Sequence, residues 1–221
     1  MARGRLVVLE GPDGAGKSTQ LRLLAEWFGV RGSNVVAVRE PGGTPVGDEI
    51  RRILLDAPTD LEPAAEALLF MASRAQLVAR EIRPALERGS VVLVDRFFLA
   101  TYAYQGAGRQ LSPDDLRAAN HLATAGLVPD LTILLTISRE EGLARAMRRG
   151  GHDRIERAEA AFHDRVLAAY ERFMTPDWQR ANPECGPIAL VDAVGSETDV
   201  FERVLRVVRD RWPESFPASS A

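Results

Sequence analysis

The chain has 221 residues, enough to bury a full core, and suits one domain better than two. Hydrophobic residues make up 46% and charged residues 27%, and the formal net charge of -3 argues against bulk nucleic-acid binding, so basic side chains matter where they cluster. The single cysteine, Cys185, excludes an intrachain disulfide, and no apolar run approaches membrane-spanning length.

Met1–Arg5 offers too short a basic stretch, and too short an apolar run behind it, for a secretory signal; these features together predict a cytoplasmic protein. Leu6 to Leu9 reads as a buried strand, and Ser18 to Phe28 as a helix with Leu21, Leu24, Ala25 and Phe28 on one face. Between them, Gly11-Pro12-Asp13-Gly14-Ala15-Gly16-Lys17-Ser18 fits the phosphate-loop pattern G-x-x-x-x-G-K-[ST] in its required strand and helix context. The glycines let successive N–H groups turn inward around a phosphate, and the new helix points its positive end at the same place. Lys17 then reaches the β/γ-phosphates and the Ser18 hydroxyl ligates Mg²⁺. Lys17 is the only lysine in the chain, every other long basic side chain being arginine.

Val35 to Val38 is a second buried strand. The loop Arg39-Glu40-Pro41-Gly42-Gly43-Thr44 follows, either a plain connector or, on this side of an open sheet, part of a ligand crevice. Val46 to Leu55 reads as a short helix and Asp60 to Arg88 as a long one, opened by Pro63 and bent at Pro84. On it Phe70 and Arg74 share a face, a pair that could clamp a planar base or simply join the core.

Val91 to Val94 is the third strand and ends in Asp95-Arg96, which places a carboxylate to hold Mg²⁺ or its water and an arginine to hold a phosphate. Thr101, Tyr104 and Gln105 share the helical turn just past it, and Ser112-Pro113-Asp114-Asp115 opens another helix. Asp130 to Ile137 is the fourth strand, followed by the capping-box signature Ser138-x-x-Glu141. Residues 139–157 set Arg139, Arg145, Arg148, Arg149, Arg154 and Arg157 against Glu140, Glu141, Asp153 and Glu156, a formal +2 interrupted by Gly150-Gly151. Such a hinged segment reads as a closing lid over polyphosphate, or as a solvated helix pair laced by salt bridges. Ile155 to Arg180 reads as one amphipathic helix, Ile188 to Val191 as a fifth strand, Val200 to Trp212 as a closing helix, and Pro213 to Ala221 as a frayed tail. Strands alternating with helices predict a single three-layer α/β domain over residues 1–212, a phosphate-loop NTPase fold with a five-stranded parallel sheet and a lid at about 145–157.

Which phosphate-loop enzyme this is depends on the remainder. A base-reading Asn-Lys-x-Asp loop of a G-protein cannot exist without a second lysine, whereas a base-clamp candidate, arginines past the third strand and an arginine-rich lid fit a nucleotide kinase. At this level a kinase of another monophosphate, such as dUMP, UMP or CMP, and a nucleotide-binding regulator without transfer remain as alternatives. Over about residues 5–210 the chain resembles the bacterial thymidylate kinases. The resemblance is carried by Leu9 to Thr19, Arg39 to Thr44, Leu69-Phe70-Met71-Ala72-Ser73-Arg74, Asp95-Arg96-Phe97, Ala103-Tyr104-Gln105-Gly106 and Asp153-Arg154-Ile155-Glu156.

That resemblance implies transfer of the γ-phosphate of ATP to dTMP, giving dTDP for dTTP synthesis and DNA replication, by a homodimer formed through helices. It implies that Gly11 to Thr19 bind ATP, that Phe70 stacks on thymine, that Arg74 bonds its carbonyl edge, and that Thr101 completes recognition of the base. Tyr104 would crowd the sugar with Gln105 beside it, Arg96 would hold the acceptor phosphate next to Arg39, and Asp13 would contact the sugar or a Mg²⁺-bound water. Some relatives carry an arginine inside the loop, where this chain has Asp13-Gly14-Ala15-Gly16, so the transition-state arginine is expected from the lid: Arg145 and Arg149 first, then Arg154. The family usually has a small hydroxyl residue where Ala100 stands.

Overall fold

A computed structural model describes residues 3–56, 61–149, 154–155 and 158–216, without the side chains of 143, 146, 147 and 149. Five strands form one all-parallel sheet in the order β2-β3-β1-β4-β5: β1 Arg5–Glu10, β2 Val35–Arg39, β3 Val91–Asp95, β4 Leu131–Thr136 and β5 Ile188–Asp192. The expected sheet and its five strands are thus present, each within two residues of its predicted ends.

The strands read as continuous apolar runs because both faces are covered. Successive side chains alternate between those faces. Leu6, Val8, Val92, Val94 and Leu134 join one core with Leu77, Ile82, Phe97, Leu99 and Tyr170. Val7, Leu9, Val91, Leu93, Ile133 and Leu135 join the other, against Leu24, Phe28, Val204 and Val208. The second core is closed by α1 Lys17–Val30 and α10 Glu197–Arg211. Ser196 caps α10 through a capping box with Asp199, and the helix begins at Glu197, three residues earlier than Val200 predicts.

The first core is closed by α2 Pro45–Asp56, α3 Pro63–Leu77, α4 Arg83–Glu87, α5 Phe98–Thr101, α6 Pro113–Thr124 and α8 Ala160–Phe173 on its own side and at its ends, and α7 Arg139–Arg149 follows β4. Between α3 and α4, Val78–Ile82 is a π-helical turn, in which the Arg83 N–H bonds the Val78 carbonyl. Pro84 has no N–H and its ring would strike a carbonyl four residues back in a regular helix, a conflict that a wider turn relieves. A second π segment, Tyr102–Gly108, continues α5.

The single helix expected over Ile155 to Arg180 is two helices, α8 and α9 Pro176–Ala181. Thr175 precedes a proline and is held extended, φ −79° and ψ 137°, from where its side chain caps α9. The tail does not fray at once: Phe216 packs on Trp27 and Phe28, with ring centroids 5.2 Å apart in both pairs. Residues 217–221, the expected helix start at Asp60 and the lid residues Gly150-Gly151-His152 lie outside the described residues. Among the described residues no helix is long and apolar enough to cross a membrane.

Candidate active site

The carboxyl ends of the middle strands aim their loops into one crevice, as the topology of an open parallel sheet requires. The loop after β1 is the phosphate loop. Gly14 there has φ +80°, and a Cβ on it would stand 2.2 Å from the Gly142 carbonyl at the start of α7, so only glycine lets the loop meet this helix so closely. Lys17 opens α1, is buried, and donates from Nζ to the carbonyls of Gly11 (2.9 Å) and Pro12 (2.8 Å). Burial, and then the nearby Arg96 charge, lower the Lys17 ammonium to about 8 against the pull of Asp13, Asp95 and Glu10. One residue on, the Ser18 hydroxyl donates to Asp95 Oδ2 at 2.6 Å, joining the first turn of α1 to the end of β3.

Arg96 follows Asp95 with φ +71°, a left-handed backbone rare for a residue with a Cβ. Its N–H bonds the Leu9 carbonyl at 3.0 Å. The Glu10 carboxylate locks the next residues by accepting from the N–H groups of Phe97 (2.7 Å) and Ala100 (3.2 Å). Glu10 is fully buried, and that burial raises its pKa against the opposing effect of Arg96 and the two N–H groups. So fixed, the Arg96 guanidinium pairs with Asp13, sits 5.0 Å from the Tyr104 ring and donates to the Tyr104 and Tyr170 hydroxyls, both at 3.3 Å. Tyr104 in turn donates to Asp13 Oδ2 at 2.7 Å. Burial first, with Asp13 and against Arg96, keeps that phenol above its ordinary range and therefore a donor.

Arg74 reaches the crevice from α3 and is 2% exposed. Its Nε bonds both oxygens of Glu40, Nη1 donates to Thr101 Oγ1 (3.0 Å) and to Asn120, and Nη2 donates to Glu40 and to the Phe97 carbonyl (2.8 Å). All three nitrogens thus have protein acceptors, and the guanidinium is a rigid plane on the wall of the crevice. Phe70 is half buried beside it, so the aromatic serves the core and the crevice at once.

The result is one cleft of about 500 Å³. Of the residues named from the sequence, Asp13, Gly14, Gly16, Lys17, Ser18, Thr19, Arg39, Phe70, Arg74, Asp95, Arg96, Thr101, Tyr104, Gln105 and Arg145 line it. Gly11 and Pro12 hold Lys17 through their carbonyls, and Ala15 packs into the second core. Arg145 is tied to Glu141 (2.8 Å) and to the Ala193 carbonyl (3.0 Å). The side chain of Arg149 lies outside the described residues. Arg154 is not on the cleft wall: it bonds Glu66 (2.6 Å) and the Leu54 carbonyl (2.9 Å). Sequence reasoning missed Glu10, Arg51, Glu66 and Asn120; a charged or amide side chain inside an otherwise apolar run was the available signal for Glu10, Glu66 and Asn120.

Compared with known proteins, residues 9–184 match the profile of the thymidylate kinase family. The chain belongs to that family. It is 46% identical to the thymidylate kinase of Deinococcus radiodurans over 96% of this chain and 99% of that one. It is 49% identical to the thymidylate kinase of an Exiguobacterium species over 77% and 81% of the two chains. The crystal structure of thymidylate kinase from Ehrlichia chaffeensis superposes with a TM-score of 0.71 at 27% identity, covering 94% of this chain and 99% of that one. The thymidylate kinase profile ends at residue 184. It therefore spans the phosphate loop, the Arg74 and Arg96 clusters and the arginine-rich residues 139–157, and leaves out β5 and α10.

Proposed function

We propose that this chain carries out the reaction of its family, transfer of the γ-phosphate of ATP to dTMP to give dTDP, in the cleft between the phosphate loop and the Phe70–Arg74 wall. The observation that carries this reading is the convergence of two recognition surfaces on one cavity. Lys17, Ser18 and the loop N–H groups serve a donor polyphosphate, and Phe70, Arg74, Thr101, Tyr104 and Gln105 serve a planar acceptor nucleotide.

Each role follows from position. Phe70 stacks on the thymine ring, and the fixed edge of Arg74 with Thr101 meets its carbonyl side. Tyr104 crowds the sugar, with Gln105 beside it and Asp13 within reach of the sugar hydroxyl. Arg96 and Arg39 hold the acceptor phosphate, with Arg51 on the same wall. The acceptor is already an anion, so no strong general base is needed. Rate comes from in-line placement and from cations around the transferring group, with Lys17 and Arg96 in the cleft and Arg145 from the lid helix.

Mg²⁺ fits the Ser18–Asp95 pair, because a hydroxyl and one carboxylate 2.6 Å apart, completed by phosphate oxygens and water, are the hard oxygen donors it prefers. Among the described residues no cluster of three or more His, Cys, Asp or Glu could hold a metal, and a site of this kind needs none. Bound there, Mg²⁺ neutralises charge on the donor phosphates.

A homodimer is the assembly we favour, through α3 and α6, where Leu68 and Leu122 are 64% and 83% exposed. The substrates and the single buried thiol of Cys185 suit a reducing cytoplasm. The test of function is ADP release with Mg²⁺-ATP and each of dTMP, dUMP, UMP, CMP, AMP and GMP. The expected result is dTMP dominant and dUMP a weak second. ATP binding with no release stimulated by any monophosphate would overturn the reading in favour of a regulator.

A further inference from the structure

Glu66, on α3, is completely buried yet charged. Three side chains from two distant segments converge on it. Arg109, past the second π segment, bonds it at 2.9 Å; Arg154, past the lid, at 2.6 Å; and the Gln105 amide nitrogen at 3.1 Å. Burial works against its charge, and the hydrogen bonds from Arg109, Arg154 and Gln105 outweigh that, holding the carboxyl below its usual range. It is therefore ionised at neutral pH and can only accept hydrogen bonds.

That last property has a consequence for Gln105. An amide has one donor face and one acceptor face, and a carboxylate beside it admits only the donor face. Gln105 is itself buried and lines the cleft. Its nitrogen is committed to Glu66, so the oxygen is the face left for the cleft. Thr101 and Gln105 are four residues apart on one helical stretch and both line the cleft, which puts Gln105 on the face that carries the Thr101–Arg74 pair.

We propose that Glu66 is a positioning residue for acceptor specificity: it fixes the Gln105 amide with its oxygen toward the acceptor base, so that the cleft favours a base edge carrying a hydrogen-bond donor and disfavours one carrying an acceptor. Thymine has N3–H at that edge, whereas cytosine bases present a bare N3. The inference rests on the dTMP reading of the cleft and deepens it. A site built around a hydrogen bond rejects an analogue that cannot make it far more strongly than an apolar pocket rejects a missing methyl group.

The experiment compares kcat/KM for dTMP and for 5-methyl-dCMP, which differ only at N3 and the 4-substituent, in the full-length enzyme with Mg²⁺-ATP. Glu66→Gln offers the amide a donor as well as an acceptor and lets it turn over. The expected result is a fall in the dTMP to 5-methyl-dCMP ratio on the order of tenfold or more, with KM for ATP unchanged. Glu66→Asp keeps the charge the arginines need but draws the carboxylate away from Gln105; it is expected to move the ratio in the same direction and serves if Glu66→Gln does not fold. Arg109→Gln removes the Arg109 bonds to both Glu66 oxygens but leaves Glu66 Oε1 as the acceptor for the Gln105 nitrogen, and is expected to lower thermal stability with the ratio unchanged. The proposal is overturned if the Glu66 variants lose activity on both acceptors in parallel, or if Arg109→Gln shifts the ratio as much as they do. A wild-type enzyme inactive on dTMP would instead sink the functional reading on which it rests.

Discussion

The Ser18 hydroxyl and the Asp95 carboxylate meet at 2.6 Å although 77 residues separate them. The meeting follows from the sheet: Leu9 and Asp95 are register partners on the adjacent strands β1 and β3, and the phosphate loop returns the chain to the same edge eight residues after Glu10. Ser18→Ala is expected to raise the Mg²⁺ concentration for half-maximal activity about tenfold to a hundredfold, leaving the fold intact. Asp95→Asn should do the same and lower kcat as well. Mg²⁺ titration of ADP release checks both, and an unchanged Mg²⁺ requirement in both variants would remove the metal assignment.

Lys17 titrates near 8 because it is buried and close to Arg96. In free enzyme its charge is lost as pH rises through that value, so kcat/KM for ATP is expected to fall above about pH 8. The polyphosphate of bound ATP favours the ammonium, so the matching limb of the kcat profile should lie at higher pH. For stability the sign is opposite. The folded value lies below the 10.5 of the exposed group, so the folded state holds fewer protons between about 8 and 10.5 and gains stability as pH rises through that window. Rate profiles and thermal melts of wild type against Lys17→Met test both limbs: the variant should lose turnover about a thousandfold and lose the alkaline gain in stability.

The pair formed by Glu40 and Arg74 is 4% and 2% exposed at its side chains. Removing one partner of a buried ion pair strands the other, so Glu40→Ala is expected to cost about 3–5 kcal/mol of stability. Because Glu40 also holds the Arg74 plane against the cleft, dTMP should bind more weakly while ATP affinity is kept. Denaturant unfolding and KM for each substrate decide this. A variant with native stability would show that Arg74 finds other acceptors within its cluster.

Much of this site was legible because chemistry and position coincide at short range. Gly11 to Ser18 is one contiguous motif, and Asp95-Arg96 lies where a buried apolar run ends. Helical spacing put Phe70 and Arg74 on one face, yet it said nothing of Glu40 and Asn120, which occupy the Arg74 nitrogens from positions 34 and 46 residues away. For Glu66 the apolar run around it showed an odd carboxylate but not its partners, which are 39, 43 and 88 residues distant. The break in the helix after Phe173 was within reach, because Thr175-Pro176 carries a steric rule of its own. Amphipathic periodicity, with Phe162, Val166, Ala169, Tyr170 and Phe173 all on one stripe, masked it.

Arg145 and Arg154, two of the arginines named from the sequence, part company in the fold. Arg154 is committed to Glu66 and to the Leu54 carbonyl, and its own N–H bonds the Leu55 carbonyl at 3.1 Å, so it anchors the chain after the lid to the end of α2. Arg145 stands on the cleft wall, and its bond to Glu141 is a surface-type i,i+4 pair, which yields readily to a polyphosphate. Arg145→Ala is therefore expected to lower kcat by about a thousandfold with KM for dTMP little changed, the pattern of a group that acts in the transition state. Arg154→Ala should lower stability and raise KM, with a smaller effect on kcat. Steady-state kinetics with both substrates varied separates the two patterns. A large kcat loss in Arg154→Ala and none in Arg145→Ala would reverse the assignment, and would mean that Arg154 leaves Glu66 when the lid closes.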